Sequence, residues 1–175
     1  MEKLYYVPQN AYSASEVAIK EILSRDFNIR NVEISRTENG KPYLKKTPFP
    51  LYFSLSHTDE TLFIALSNKE IGIDAEPLNR TVNFFPIVRK FPVEEQNIIK
   101  TRSDFLKHWT AKESAVKFLG STLSKDLKNL HFDGVTMSFQ NAPLGAKICF
   151  KMVNDTLVCV CAKNDFERVQ AEAFP

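Results

Sequence analysis

Asp74 and Glu76 lie two residues apart in a segment whose pattern predicts a β-strand. Ile71, Ile73 and Ala75 alternate with them, so the two carboxylates are expected to project together from the opposite face. On the pattern alone, a solvent-exposed strand face is the commoner explanation, because acidic residues are frequent there. Two neighbouring carboxylates are also oxygen ligands of the kind that a hard divalent cation such as Mg²⁺ prefers.

A second group of candidate residues occupies a segment that predicts a helix. Trp109, Glu113 and Lys117 are spaced at i, i+4 and i+8, so they form one stripe of that helix. Glu113 and Lys117 could be only a stabilising surface ion pair, but a tryptophan on the same stripe favours a partly buried face. Lys112 lies off this stripe and is expected to face solvent. If the helix packs on the strand, the two segments together could hold a divalent cation and a phosphate chain.

Five sequence motifs, in the same order, resemble those of the 4′-phosphopantetheinyl transferases, specifically the larger, surfactin-synthetase-activating type. In chain order the motifs are Gly40-Lys41-Pro42, Phe53-Ser54-Leu55-Ser56-His57, Gly72-Ile73-Asp74-Ala75-Glu76, Arg89-Lys90-Phe91-Pro92-Val93-Glu94-Glu95 and Trp109-Thr110-Ala111-Lys112-Glu113-Ser114-Ala115-Val116-Lys117. Each motif alone would be a weak match, and the ordered set of five is a specific one.

The resemblance implies an enzyme that transfers 4′-phosphopantetheine from coenzyme A to a serine of an apo acyl or peptidyl carrier protein. Adenosine 3′,5′-bisphosphate would be released, and Mg²⁺ would be required. The metal ligands that the resemblance implies are Asp74, Glu76 and Glu113. The residues expected to contact coenzyme A are Arg36, Gly40, Lys41, Pro42, Ser56, His57, Asp74 and Lys117. The catalytic candidates are Glu113, Lys117 and Glu95, and the proton acceptor could be Glu113, Glu95 or a metal-bound water.

Two other functions are weighed against this transferase. A non-catalytic relative that binds coenzyme A or a carrier protein is one alternative, because Ala11 stands where relatives carry an arginine that contacts the nucleotide. A different Mg²⁺-dependent phosphotransferase or nuclease is the other. The sequence contains no GxxxxGK phosphate-binding loop, which disfavours the second alternative.

Composition sets outer limits on the function. The 175 residues are 43% hydrophobic and 25% charged, with a formal net charge of +2, so bulk charge gives no support for nucleic-acid binding. Cys149, Cys159 and Cys161 form neither a disulfide framework nor a zinc spacing, and we expect them to be buried thiols. Because neither a signal peptide nor a long apolar run is seen, a cytoplasmic protein without membrane contact is expected.

The elements that must position these residues predict an α+β fold. Helices are predicted over about 13–25, with Ser13 and Glu16 as a capping box, and over about 103–119. Closely spaced β-prone runs at 53–56, 61–67 and 71–75 predict one antiparallel sheet. Further strands are predicted from residue 130 onward. The tail from Asp165 is expected to be short helix or loose chain. The resemblance implies two similar α+β halves, residues 1–78 and 79–175, related by a pseudo-twofold axis in a monomer.

Overall fold

A computed structural model of the protein describes residues 1–174. The strands are β1 (Glu2–Pro8), β2 (Ile34–Arg36), β3 (Pro42–Leu44), β4 (Tyr52–His57), β5 (Thr61–Ser67), β6 (Ile71–Pro77), β7 (Leu130–Phe132), β8 (Met137–Phe139), β9 (Ala142–Pro143), β10 (Lys147–Val153), β11 (Thr156–Ala162) and β12 (Ala171–Ala173). The helices are α1 (Ser15–Phe27), α2 (Phe85–Val88), α3 (Val93–Ile98), α4 (Arg102–Leu119) and α5 (Leu123–Asp126).

Two main sheets form the centre of the fold. One has the strand order β12–β1–β5–β4 and the other has the order β10–β11–β6. The pairs are antiparallel except for β1 with β12, which run parallel. The predicted α+β class with antiparallel sheets is therefore confirmed.

Helix α1 covers the first sheet through one apolar face. Ala18, Ile19, Ile22 and Leu23 recur at helical spacing and are buried against strands β1, β4 and β5. The helix ends where Asn28 adopts a left-handed conformation, with φ of 53°. The predicted capping box is wrong, because the N-cap residue is Ala14 and no side chain caps this helix.

Helix α4 matches its prediction closely, and its ends follow ordinary capping chemistry. Thr101 and Asp104 form a reciprocal capping box at the start of the helix, and Gly120 ends it in a left-handed conformation with φ of 63°. The helix packs on β6 and β11, with Ala111 and Ala115 buried beneath it. Small side chains on this face let the helix approach the sheet closely.

The backbones of α4 and β6 approach each other very closely at Gly72. A Cβ atom built on Gly72 would lie 2.0 Å from the carbonyl oxygen of Ser114 and 2.4 Å from the amide nitrogen of Phe118. Both contacts are far inside van der Waals distance and involve backbone atoms, which cannot rotate away. Only glycine therefore allows this spacing between strand and helix.

The predicted sheet of three consecutive strands is wrong in one respect. β4 and β5 pair as predicted, but β6 pairs with β11 instead of extending them. The outer edge of β6 is completed by side chains: the amides of Ile73 and Ala75 donate to the hydroxyls of Ser54 and Ser56, each at 3.1 Å. Serine hydroxyls thus replace a backbone ladder along the boundary between the two sheets, a connection that we call the serine seam.

The two main sheets also exchange strands between the halves of the chain. β6 precedes residue 78 but belongs to the sheet of β10 and β11, and β12 follows it but pairs with β1. β12 falls in the tail that was expected to be short helix or loose chain, so that expectation is wrong. The strand is only three residues long and lacks a β-branched run, which left its pattern undetectable.

No helix within residues 1–174 combines the length and the apolar character needed to cross a bilayer.

Substituting Gly72 with alanine tests the strand–helix contact. The added methyl group must push α4 away from β6, so we expect Gly72→Ala to lower the free energy of unfolding by about 2 kcal/mol or more. Urea denaturation followed by circular dichroism measures the change. Gly145→Ala is the matched control, because Gly145 has a positive φ of 72° and open space around it. Its cost should be limited to backbone strain of about 1 kcal/mol, and an equal cost at both positions would contradict the steric explanation.

Candidate functional site

An open cleft of about 1140 Å³ lies where α4, β6, β4 and the β2–β3 hairpin meet. Of the residues predicted to bind the metal, to contact coenzyme A or to take part in catalysis, all except Glu95 line this cleft. The lining candidates are Arg36, Gly40, Lys41, Pro42, Ser56, His57, Asp74, Glu76, Glu113 and Lys117. Side chains from positions 36 to 117 are therefore gathered around one space.

Asp74 lies on the floor of the cleft and is only 6% exposed. Its Oδ1 accepts hydrogen bonds from the Lys117 ammonium at 2.8 Å and from the Ser56 hydroxyl at 3.0 Å. Its Oδ2 is buried and accepts no hydrogen bond from any of the described residues. The strand face is therefore not the solvated surface that the pattern alone favoured, and one carboxylate oxygen is left available to a ligand.

Glu76 is also buried, at 7% exposed, and is held from two sides. Its Oε1 accepts a hydrogen bond from the Trp109 indole at 2.9 Å and forms an ion pair with Arg80. Burial is the main cause of a raised Glu76 pKa, which the Arg80 hydrogen bond opposes. Arg80 was not among the residues predicted from sequence. Its position four residues after Glu76, across the short loop that follows β6, was the only available signal.

Glu113 reaches the cleft from α4, on the stripe predicted from its spacing. Its pKa is raised to about 7, chiefly by burial and also by the negative charges of Asp74 and Glu76, while the charge of Lys117 opposes the shift. The stripe and the strand pair thus converge as expected: Trp109 contacts Glu76, and Lys117 contacts Asp74.

The carboxylates of Asp74, Glu76 and Glu113 suit a divalent cation in charge and donor type. These three carboxylates face two paired cations, Lys117 and Arg80, and the Oδ2 atom of Asp74, which accepts no hydrogen bond from the described residues, is an oxygen of the type that such a cation prefers. As the side chains stand, no group of three or more acidic, histidine or cysteine residues within positions 1–174 has the arrangement of a metal site. The ammonium and the guanidinium now occupy the positions nearest the carboxylates.

The Gly40-Lys41-Pro42 turn borders the cleft, but its lysine points into the protein. The Lys41 ammonium forms an ion pair with Glu70 at 2.7 Å and donates to the carbonyls of Ile71 and Phe118, each at 3.2 Å. It therefore links the turn to the start of β6 and to the last turn of α4, where positive charge is favourable.

Arg36 and Ser56 also form specific contacts at the edge and floor of the cleft. The Arg36 guanidinium donates to the carbonyl of Gly40 and to Glu16, each at 3.3 Å, and is largely exposed. The Ser56 hydroxyl bridges Asp74 and the amide of Ala75, so it fixes the orientation of the carboxylate.

His57 ends β4 at the rim of the cleft and is exposed. Its ring is therefore accessible to a ligand. A neutral or protonated imidazole at such a position can donate a hydrogen bond to a phosphate oxygen.

Glu95 lies outside the cleft, which corrects its selection as a catalytic candidate. It is 0% exposed and its carboxylate contacts three groups: the Lys112 ammonium at 2.7 Å, the His108 ring at 2.8 Å and the amide of Phe132 at 3.2 Å. The expectation that Lys112 faces solvent is also wrong, since it is 0% exposed and also donates to the Leu130 carbonyl. A buried ion pair supported by hydrogen bonds gave no periodic signal in the sequence.

The cysteines match their prediction, since Cys149, Cys159 and Cys161 are free and buried. Burial raises the pKa of all three thiols, which is typical of unreactive core cysteines.

Comparison with known proteins gives one family match. A family profile described as the 4′-phosphopantetheinyl transferase superfamily matches residues 70–162, which is more than half of the chain. The matched region contains β6, α4 and the three clustered carboxylates.

Individual relatives are similar over most of this chain. The L-aminoadipate-semialdehyde dehydrogenase-phosphopantetheinyl transferase of Rattus norvegicus is 31% identical over 140 residues, covering 69% of this chain and 45% of the relative. The 4′-phosphopantetheinyl transferase gsp of Aneurinibacillus migulanus is 29% identical over 140 residues, covering 74% and 57%. The 4′-phosphopantetheinyl transferase AcpT of Salmonella typhi is 30% identical over 123 residues, covering 66% and 63%. The chain thus spans only about half to two thirds of the length of these relatives.

The raised pKa of Glu113 predicts a pH-dependent stability for the metal-free protein. The unfolded carboxyl ionises near pH 4.5 and the folded one near pH 7, so the folded state binds more protons between these values. The contribution of Glu113 to stability should therefore fall as pH rises from about 4.5 to about 7 and stay low above that range. Glu113→Gln should remove this loss and raise the free energy of unfolding at pH 8 by on the order of 2 kcal/mol.

Urea denaturation at pH 5 and pH 8, with a chelator present, measures the Glu113 effect as the difference between variant and parent. Groups that do not interact with Glu113 titrate equally in both proteins and cancel in this difference. A stabilisation of the same size at both pH values would contradict the assigned cause.

The buried Glu95 network predicts a structural role for that residue. Removing its carboxylate leaves Lys112 buried without a counter-charge, so we expect Glu95→Ala to lower the free energy of unfolding by about 3–5 kcal/mol. Glu94→Ala is the matched control, since Glu94 is the exposed neighbour in the same short helix. Its cost should stay below about 0.5 kcal/mol, and similar costs for both variants would contradict the structural role.

Proposed function

Because the chain belongs to the 4′-phosphopantetheinyl transferase superfamily, we propose that it transfers the 4′-phosphopantetheine group of coenzyme A to a serine of an apo acyl or peptidyl carrier protein. The serine oxygen forms a bond to the phosphorus next to pantetheine. The bond from that phosphorus to the oxygen bridging it to the adenosine side breaks, the serine gives up its proton, and adenosine 3′,5′-bisphosphate leaves.

The single observation that carries this proposal is the convergence of three carboxylates and Lys117 in one cleft. Asp74 and Glu76 come from β6, and Glu113 and Lys117 come from α4. Phosphoryl transfer depends mainly on positioning the groups and on neutralising charge on phosphate oxygens. Asp74, Glu76 and Glu113 would hold Mg²⁺, which supplies positive charge to the pyrophosphate when bound.

The remaining cleft residues have roles that match their contacts. Lys117 is close enough to the carboxylates to reach a phosphate oxygen beside them, and His57 would donate to a phosphate from the rim. Gly40, Lys41 and Pro42 would border the nucleotide, with Arg36 adding positive charge. Lys41 would shape this border through its internal hydrogen bonds rather than by direct contact.

The proton of the attacking serine needs an acceptor in or near the transition state. Of the two glutamates considered for this role, only Glu113 lines the cleft, while Glu95 is enclosed by its own ion pair. We therefore assign the role to Glu113 among the carboxylates, with a metal-bound water as the other candidate.

We further infer that the chain consists of two related halves, residues 1–78 and 79–175, around a pseudo-twofold axis, and that it acts as a monomer in the cytoplasm. A helix packed on antiparallel strands recurs in each half, as α1 on β1–β5–β4 and as α4 on β11, although the second sheet also includes β6 from the first half. The cleft then lies between the halves.

Asp74→Asn tests the proposed function directly. The amide keeps the size of the carboxylate but removes the charge that binds the cation, so we expect transfer to fall by at least about 100-fold. The measurement is the mass increase of an apo carrier protein incubated with coenzyme A and Mg²⁺. Circular dichroism establishes that the variant is folded.

Asp165→Asn is the matched control, because Asp165 is exposed and pairs with Lys147 outside the cleft. Its transfer rate should equal that of the parent protein. Near-normal transfer by folded Asp74→Asn would overturn the assignment of the site, and coenzyme A binding without transfer by the parent protein would favour a non-catalytic binding protein instead.

A further inference from the structure

Arg80 forms the least expected contact in the cleft. Its guanidinium pairs with Oε1 of Glu76, the same oxygen that accepts the hydrogen bond of Trp109. The Arg80 side chain is 40% exposed and projects from the loop after β6, whereas the Glu76 side chain is 9% exposed. A partly solvated cation therefore neutralises a buried carboxylate.

We propose that Arg80 is an exchangeable counter-ion: it holds Glu76 while the cation site is empty, and it binds the pyrophosphate of coenzyme A once a divalent cation takes its place. This inference rests on the proposed function, since it takes Glu76 as a ligand of that cation. It assigns to Arg80 a role in both metal and substrate binding.

The electrostatics of the cleft support the exchange. A buried carboxylate needs a compensating charge, and Arg80 supplies it when no cation is bound. Once a divalent cation binds Glu76, the cation and the guanidinium repel each other at short range. The charge of Arg80 also lowers the pKa of Glu113, so its influence reaches the third carboxylate.

The geometry around Arg80 allows the movement without loss of structure. The Trp109 indole keeps its own hydrogen bond to Glu76 at 2.9 Å, so the carboxylate stays in place when the guanidinium leaves. The backbone of the loop is fixed by the hydrogen bonds of Leu78 to Asp155 and of Arg80 to Pro77. Only the side chain has to rotate, and its planar group of donors suits a phosphate better than a single carboxylate oxygen.

The test measures two affinities that should change in opposite directions. In Arg80→Gln the cation no longer competes with the guanidinium, so binding of Mn²⁺, without coenzyme A, should tighten about threefold or more. Coenzyme A binding in the presence of Mg²⁺ should weaken about tenfold, because a charge-assisted hydrogen bond is lost. Calorimetry measures both, and neither readout needs turnover. A purely structural role would weaken both.

Two further variants and one further ligand sharpen the test. Lys147→Gln removes one positive charge from an exposed ion pair outside the cleft and should change neither affinity. Arg80→Lys keeps the positive charge but loses the planar group of hydrogen-bond donors. Mn²⁺ binding should therefore stay near the parent value, while coenzyme A binding weakens. Dephospho-coenzyme A lacks the 3′-phosphate but keeps the pyrophosphate. The Arg80→Gln substitution should therefore weaken its binding by the same factor as it weakens the binding of coenzyme A.

Tighter Mn²⁺ binding together with weaker binding of both coenzyme A forms supports the proposal. A second outcome is that the parent protein binds Mn²⁺ through Asp74 while Arg80→Gln binds it equally well or more weakly. That result overturns the counter-ion exchange but leaves the cation site of the proposed function intact. A loss confined to coenzyme A and absent for the dephospho form overturns the pyrophosphate assignment. If the parent protein binds no Mn²⁺, or if Asp74→Asn binds it equally well, the cation site of the proposed function is wrong and the exchange fails with it.

Discussion

The contact between the backbones of α4 and β6 at Gly72 determines the distance between the two halves of the cleft. Glu113 and Lys117 project from the helix, while Asp74 and Glu76 project from the strand, so this one distance fixes how the acidic and basic groups meet. Any side chain at position 72 would separate them, because the opposing atoms belong to the main chain of the helix. Gly72 therefore belongs to the same functional unit as Asp74 and Glu76 of its motif, although it carries no reactive group.

The charge balance of the cleft follows from that spacing. Burial, together with the closeness of the three carboxylates, raises the pKa values of Glu76 and Glu113. Arg80 and Lys117 form ion pairs with the acids. Such an arrangement stores repulsion that a cation or a proton can relieve. The same feature that lowers the stability of the empty protein therefore favours ligand binding. A second buried ion pair, between Glu95 and Lys112, lies on the other side of α4 and anchors the helix to α3 and β7.

The sequence predicted those parts of the fold and site that repeat with a regular period. The stripe of α4, its end at Gly120 and the strand of Asp74 and Glu76 all carry periodic or capping signals, and the structure has them where they were expected. Contacts between distant segments carry no such signal. The pairing of β6 with β11, the burial of Lys112 and the reach of Arg80 back to Glu76 depend on which elements pack together. The burial of Glu95 outside the cleft was not predicted for the same reason. A glutamate near the start of a helix has the same sequence pattern whether it faces solvent or the core.

The serine seam joins the two sheets at the floor of the cleft through rotatable side chains, whereas a continuous sheet would join them through fixed backbone hydrogen bonds. Backbone ladders hold two strands in a fixed register, whereas a hydroxyl can rotate and choose among acceptors. Ser56 accepts from the amide of Ala75 and at the same time donates to Asp74, so one oxygen atom joins the sheet boundary to the charged cluster. A cation bound to Asp74 would withdraw charge from the carboxylate and weaken the hydrogen bond that Ser56 donates to it. The charge state of the acidic cluster is thereby connected to the boundary between the two sheets through one side-chain oxygen.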